Sequence, residues 1–112
     1  MNSLLLTPPH LPRLRHFCFE LEDVIRLEGN RNYTRFIKAN GQYVLTCRSL
    51  CTYDERLPRQ FVRVHKSHVV NCRYILSVDN ANHCLLMTDG ISIPISRRKW
   101  TQIVDLLIEH RS

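Results

Sequence analysis

The sequence contains 112 residues, of which 44% are apolar and 23% are charged. This length and composition fit one folded domain and exclude a disordered chain as the main state. The 16 Lys and Arg residues outnumber the 10 Asp and Glu residues, which gives a formal net charge of +6. Such a charge favours a polyanionic partner, namely DNA, RNA or an acidic membrane surface.

The basic residues are concentrated in two segments. Ten of them lie between Arg26 and Arg73, where only three acidic residues oppose them, and a second cluster is Arg97-Arg98-Lys99. Most are Arg, whose planar guanidinium can hold a phosphate or a guanine edge with two hydrogen bonds. The separation of the charges is typical of a one-sided binding face, although chance also produces such distributions.

The start of the chain and its cysteines bear on the cellular compartment. Three prolines between residues 8 and 12 oppose regular structure, so we expect a flexible leader over residues 1–15 and a single domain over residues 16–112. The run Leu4-Leu5-Leu6 is too short for a secretory signal or a membrane span. Five cysteines without a secretory signal predict reduced thiols and a cytoplasmic protein that is not associated with a membrane.

Short β-strands dominate the prediction from residue 16 onward, because β-branched and aromatic residues alternate with polar ones between turn residues. Asn40-Gly41 and Asp89-Gly90 are the strongest hairpin signals, since Asn and Gly both accept a positive φ. The predicted strands cover residues 16–20, 24–27, 33–39, 42–48, 61–64, 69–70, 74–78, 84–88 and 91–95.

Two helices complete the predicted architecture. A short helix near residues 49–57 has Ser49 as its N-cap and ends at Pro58. A C-terminal helix near residues 97–110 has Ser96 as its N-cap. Its apolar stripe is more typical of a core or dimer contact than of a cofactor site, and consists of Trp100, Ile103, Val104, Leu107 and Ile108. The whole is mainly β, with non-local pairing and no βαβ units.

The sequence offers little support for an enzyme. It has three glycines, no Gly-rich phosphate loop, no serine nucleophile elbow and no recognisable pair of carboxylates. Cys51 or Cys72 with His65 or His68 could form a nucleophile and base, but their spacing does not favour it. We therefore predict that the chain is not an enzyme.

A zinc site is the stronger alternative chemistry. The order Cys47-x3-Cys51, then His65-x2-His68-x3-Cys72, approaches a zinc-finger spacing. However, His-x2-His is tighter than the usual gap, and Cys47 and His65 lie within predicted strands. We therefore predict no metal and no cofactor.

The segment Arg63-Val64-His65-Lys66-Ser67 carries the clearest binding chemistry. Arg63 and His65 share one face of a strand, and Lys66 and Ser67 follow where that strand ends. A guanidinium, an imidazole, an ammonium and a hydroxyl within a few ångströms could anchor a phosphate and contact a base edge. Without further support, a polar loop with a structural histidine explains the same residues.

Two tracts resemble the LytTR family of bacterial transcription regulators. The first is Arg63-x-His65-Lys66-Ser67, followed by Val69-Val70-Asn71, and the second is Ile93-Pro94-Ile95-Ser96-Arg97-Arg98. Upstream, residues 23–34 resemble the family's early strand and the loop that follows it. The resemblance covers roughly residues 16–108, and two tracts at the matching separation make it specific.

The resemblance implies an elongated stack of antiparallel sheets with about ten short strands. It also implies response-regulator-like control of transcription, through loops that enter the major groove of double-stranded DNA. Direct repeats are the usual targets in the family, and a homodimer on DNA is compatible with it. The residues that it assigns to DNA binding are Arg31, Asn32 and Thr34 in a first region, Arg63, His65, Lys66 and Ser67 in a second, and Ser96, Arg97 and Arg98 in a third.

Two departures from the family pattern matter. Lys66 stands where relatives often have Arg or Asn, and a lysine is a point charge, so base selectivity at this position is in doubt. Relatives also commonly carry a receiver domain or a membrane segment before this domain. The sequence therefore leaves two alternatives open: a domain that stands alone, and a fragment of a longer protein.

The third region has independent physical support. Arg97, Arg98 and Lys99 occupy the first helical turn, where the helix dipole makes a cation unfavourable by about 0.3–1 kcal/mol. A bound anion would offset this cost and accept hydrogen bonds from the unpaired N–H groups. The rival hypothesis is a β-rich protein-interaction or ligand-sensing module that has lost DNA binding. RNA binding is less favoured, because aromatic residues make up only 8% of the chain.

Overall fold

The computed structural model describes the backbone of residues 21–111 and the side chains of residues 21–108. The predicted leader and the first predicted strand, at residues 16–20, therefore lie outside the described residues. The described part contains eight strands and two helices, which confirms the mainly β fold class. The strands are β1 Val24–Asn30, β2 Tyr33–Lys38, β3 Tyr43–Thr46, β4 Phe61–His65, β5 His68–Asn71, β6 Ile75–Asp79, β7 Cys84–Met87 and β8 Ser92–Pro94, and the helices are α1 Leu50–Asp54 and α2 Arg97–Arg111.

The strands form two antiparallel sheets. The larger sheet has five strands in the order β3-β2-β1-β5-β4, and the smaller sheet has three in the order β6-β7-β8. Hairpins make most of the neighbouring pairs, whereas the central pairing of β1 with β5 joins distant segments of the chain and aligns Glu28 with His68.

Two hydrophobic clusters lie on opposite faces of the five-stranded sheet. One packs the sheet against the three-stranded sheet and α2, and includes Val64, Val70, Leu85 and Ile103. The other lies beneath α1 and includes Leu27, Phe36, Leu50, Tyr53 and Val69. Side chains along a strand point alternately to the two faces of a sheet. Val69 and Val70 of β5 therefore belong to different clusters.

The two predicted hairpin turns share one geometry. Gly41 donates to the carbonyl of Lys38 (3.0 Å), and Gly90 donates to that of Met87 (2.9 Å). Only the glycine of each pair has a positive φ, at 89° and 87°, although an asparagine at position 40 could also accept one. The pattern is a type I turn followed by a glycine in the left-handed region, the usual form of a three-residue hairpin loop.

α1 is shorter than predicted, whereas α2 covers the predicted residues and ends one residue later, at Arg111. α1 ends at Asp54, before Pro58, and Ser49 makes no side-chain cap hydrogen bond. Ser96 does cap α2, since its Oγ accepts from the backbone N–H of Lys99 (3.3 Å). In the predicted apolar stripe of α2, Ile103 and Leu107 are buried, whereas Ile108 is 60% exposed.

Three connections meet at one end of the five-stranded sheet. The β1–β2 turn lies beside the β4–β5 turn because β1 and β5 are paired in antiparallel register. The connection from β3 to α1 reaches the same end, since Thr34 at the start of β2 aligns with Thr46 at the end of β3. Short strands thus bring separate basic segments together.

Candidate nucleic-acid interface

The β1–β2 turn presents two of the three residues predicted for the first region. Arg31 and Asn32 are exposed, and Arg31 adopts a left-handed φ of 56°. Thr34 is fully buried, and its hydroxyl donates to the carbonyl oxygen of Arg48 (2.7 Å). Thr34 therefore holds the end of the sheet together, and the prediction that it contacts DNA does not suit its position.

The guanidinium of Arg63 is bound within the protein. Its Nε donates to the carbonyl of His65 (2.9 Å), Nη2 donates to the carbonyl of Lys66 (2.6 Å), and Nη1 donates to Asp54 Oδ2 (2.9 Å). These hydrogen bonds give Arg63 a scaffold role: it fixes the β4–β5 turn and joins it to α1.

The β4–β5 turn is rigid for two further reasons. The backbone N–H of Ser67 donates to His65 Nδ1 (3.1 Å), so the neutral imidazole carries its proton on Nε2. The carbonyl oxygen of Ser67 accepts from the N–H of Gly29 in β1 (2.8 Å). The backbone of this turn is therefore fixed to the central strand, while the Lys66 side chain remains exposed.

The two turns and the start of α1 enclose an open cleft of about 360 Å³. The structure thus unites the first and second predicted regions. It also adds residues that sequence reasoning missed, because nothing in the sequence indicates that the β3–α1 connection reaches this end of the sheet. The lining residues are Gly29, Asn30, Arg31, Ser49, Leu50, Cys51, Arg63, Lys66 and Ser67.

His68 lies next to the β4–β5 turn, where strand pairing sets it opposite Glu28 and His65. Its Nδ1 is buried and has no hydrogen-bond partner among the described residues. Burial lowers the pKa of His68 from its ordinary value, and the nearby His65 lowers it further, with ring centroids 5.4 Å apart. The lowered pKa of His68 therefore favours the neutral imidazole at this position.

The third region lies on the other sheet, where β8 leads into α2. Ser96, Arg97 and Arg98 are all exposed. The junction is anchored by the N–H of Ile95, which donates to the carbonyl of His83 (2.9 Å), and by the His83 ring, whose centroid lies 4.8 Å from that of Trp100. The third region thus contacts the β6–β7 turn, and none of its residues lines the cleft.

The potential metal ligands are dispersed. Cys47 and Cys51 are exposed, whereas Cys72 is buried in the cluster between the sheets. Within residues 21–108, no group of three or more His, Cys, Asp or Glu side chains is placed to hold a metal ion. No helix in the described part of the chain is long and apolar enough to span a bilayer.

The domain consists of two antiparallel sheets whose exposed turns, together with the first turn of α2, are basic. These features define a class of β-rich domain suited to binding a polyanion. The family model of the LytTr DNA-binding domain matches residues 15–108. The chain belongs to this family, as the two sequence tracts predicted.

Relatives with assigned names are bacterial regulators. The heme-containing CO-sensing transcriptional regulator RcoM 1 of Paraburkholderia xenovorans (strain LB400) is 30% identical over 83% of this chain and 36% of its own length. Sensory transduction protein LytT of Bacillus subtilis (strain 168) is 38% identical over 53% of this chain and 26% of its own. The chain thus spans well under half the length of the curated relatives that it matches.

A solved structure confirms the fold. The LytTr DNA-binding domain of a putative methyl-accepting/DNA response regulator from Bacillus cereus superposes with a TM-score of 0.69 and 25% sequence identity. The superposition covers 80% of this chain and 84% of that structure, so the likeness extends through nearly the whole domain.

Proposed function

We propose that this chain binds double-stranded DNA sequence-specifically and acts as a bacterial transcription regulator. Family membership supports DNA binding, and the names of the relatives support transcription regulation. The observation that carries the proposal is the cleft in which Arg31 and Lys66 extend from two neighbouring turns at one end of the sheet.

The side chains of this end suit two kinds of contact. Arg31 and Lys66 are cations suited to phosphate oxygens or guanine edges. Asn32, Ser67 and the Nε2–H of His65 add neutral donors at the same end. Because hydrogen bonds fix the β4–β5 turn, its backbone needs little ordering when DNA binds, which reduces the entropic cost of association.

The third region extends the proposed interface. Arg97 and Arg98 stand at the start of α2, where N–H groups unpaired within the helix and the helix dipole favour a phosphate, and Ser96 caps the same end. The molecule measures 42 × 27 × 26 Å. Successive major grooves on one side of a duplex are about 34 Å apart, so the long dimension is sufficient for loops to enter two of them. Direct repeats remain the proposed arrangement of target sites.

Arg63 and Thr34 contribute to this interface indirectly. Both commit their polar atoms to the protein, so substituting either is expected to disturb the turns rather than delete a DNA contact. Arg31, Asn32, His65, Lys66, Ser67, Ser96, Arg97 and Arg98 remain the proposed DNA contacts.

The test is selection of a binding site from a random duplex library, followed by affinity measurements on three variants. Arg31→Ala and Lys66→Ala are each expected to weaken binding by about 1–3 kcal/mol and to reduce its salt dependence. Arg73→Ala is the matched control, because it removes an exposed cation at the opposite end of β5. No selected duplex at low salt, or equal losses in all three variants, would refute the proposal.

A further inference from the structure

The outer edge of the five-stranded sheet is formed by β3 and is poorly protected. β3 stands last in the strand order, and among residues 21–111 no strand pairs with its outer side. Residues 43–47 contain neither a charged residue nor a proline, two of the features that keep an edge strand from pairing with another chain.

The backbone groups that point outward from this edge belong to Tyr43 and Leu45. At the β2–β3 turn, the N–H of Lys38 donates to the carbonyl of Gln42 (2.8 Å). Hydrogen-bonded and non-hydrogen-bonded pairs alternate along an antiparallel ladder. The pairs that Tyr43 and Leu45 make with β2 are therefore the non-hydrogen-bonded ones, and their N–H and C=O groups face away from the sheet.

The same two residues carry exposed apolar side chains. Tyr43 is 55% exposed and Leu45 is 46% exposed, on the sheet face that elsewhere packs against the smaller sheet. That packing involves β1, β4 and β5 but no buried residue of β2 or β3. Leu45 borders a second cleft of about 270 Å³, which Tyr33 and Arg35 also line.

We propose that β3 pairs with β3 of a second copy of this chain in antiparallel register, about a twofold axis through Val44. Tyr43 then lies opposite Leu45 of its partner, and each such pair exchanges two backbone hydrogen bonds. The partner's Tyr43 covers Leu45 beside the second cleft. Aromatic and aliphatic residues opposite each other on one face are a favourable cross-strand pair.

The distribution of charge around β3 favours a second copy of the chain over an acidic partner. The chain carries +6, so an acidic macromolecule would be drawn to the basic turns. The cation nearest to this edge, Arg35, lies over the Tyr43 ring (4.7 Å to the centroid) and is already paired with Glu28 (3.2 Å). In the proposed register Arg48 lies opposite Asn40 of its partner, so no like charges face each other across the axis. The edge is thus complementary to itself.

This pairing does not depend on DNA binding. Two protomers on a direct repeat share one orientation and cannot be related by a twofold axis. The β3 pairing therefore connects protomers bound at separate sites or at an inverted repeat.

Cysteine cross-linking tests the register in a background with Cys47→Ser and Cys51→Ser. Val44→Cys places two thiols in a non-hydrogen-bonded pair with Cα atoms about 4.5 Å apart, which suits a disulfide. Leu45→Cys is the matched control, because the two copies of position 45 lie diagonally across the pairing, about 7–8 Å apart. Under mild oxidation the Val44→Cys dimer is expected to form at least ~10-fold faster than the Leu45→Cys dimer. The reason is that only the pair at position 44 can form a disulfide without movement of the backbone.

Sedimentation of the unmodified protein provides an independent measurement. The interface is small, so the mass is expected to rise from 13.3 kDa toward twice that value only at concentrations of about 0.1–1 mM. Leu45→Lys should remain at 13.3 kDa throughout, with unchanged circular dichroism. A wild-type mass that never rises, or equal cross-linking rates for the two cysteine variants, overturns the pairing.

Discussion

The guanidinium of Arg63 holds the β4–β5 turn in place through two carbonyl oxygens and joins it to Asp54. The tract around it predicted a basic segment at a strand end, and that position is confirmed. The sequence did not show that Lys66 extends outward while Arg63 turns back to two carbonyl oxygens and Asp54. That difference depends on the path of the turn backbone and on the distant position of Asp54, which no local pattern encodes.

His68 predicts a specific pH dependence of stability. Burial lowers its pKa in the folded protein, whereas the unfolded chain has an ordinary value near ~6.5. Below about pH 6.5 the unfolded state therefore binds more protons, and the free energy of unfolding falls as the pH falls. The pKa also responds to Glu28, which raises it, and to Arg26, which lowers it.

Urea unfolding between about pH 5 and 7.5 measures this effect. His68→Gln should show a shallower decrease in unfolding free energy than the wild type as the pH falls. His83→Gln, on the other sheet, should retain the wild-type decrease because it leaves His68 in place. The interpretation fails if His68→Gln and the wild type have the same slope.

Elements with strong local signals were well predicted. The two Gly-containing hairpins and the extent of α2 follow from turn chemistry and helical periodicity, and the structure confirms them. Less local features were missed: α1 is shorter than predicted, and Tyr74 belongs to a 3₁₀ turn at Cys72–Tyr74 rather than to β6. The side chain of Asn71 explains this turn, since it accepts from the N–H of Arg73 (3.1 Å) while its own amide donates to the carbonyl of Val24 (2.9 Å).

The packing of α1 on β1 depends on Gly29. A Cβ atom at this position would lie 2.9 Å from the Cβ of Leu50, the first residue of α1. Gly29→Ala is therefore expected to push α1 away from the sheet and to lower the unfolding free energy by about 1–3 kcal/mol. Denaturant unfolding measures the loss.

Asn30→Ala serves as the control for Gly29→Ala. It changes the adjacent exposed residue and should alter stability by less than about 0.5 kcal/mol. Equal stabilities of Gly29→Ala and the wild type would show that α1 does not need this close approach.

At the scale of the whole molecule, Arg26 joins the two sheets. It is only 6% exposed, and its guanidinium binds Glu28 within β1 and Asp89 in the β7–β8 turn, both at 3.1 Å. Arg26 and Asp89 are far apart in the sequence, so the sequence pattern indicates only that Arg26 belongs to the basic segment. The ion pair with Asp89 thus adds a polar contact to the apolar cluster that packs the two sheets together.

Arg26→Met should destabilise the protein by about 1–3 kcal/mol, because Asp89 loses its charge-assisted hydrogen bond, whereas Glu28 keeps its ion pair with Arg35. Asp89→Asn should cost less, since its side chain can still accept the hydrogen bond from Ile91 that shapes the turn. Thermal unfolding of both variants checks this order. A wild-type melting temperature for Arg26→Met would mean that apolar packing alone holds the sheets together.

The attachment of the β1–β2 and β4–β5 turns through main-chain atoms has a consequence for divergence among related domains. Side chains at positions 32 and 66 can change without loss of the bonds that shape the turns, so recognition can drift while foldability is retained. Position 31 is more restricted, because its left-handed backbone disfavours β-branched residues. Libraries that reprogramme the domain would therefore randomise 32 and 66 freely and limit 31 to residues such as Arg, Lys, Asn and Gly.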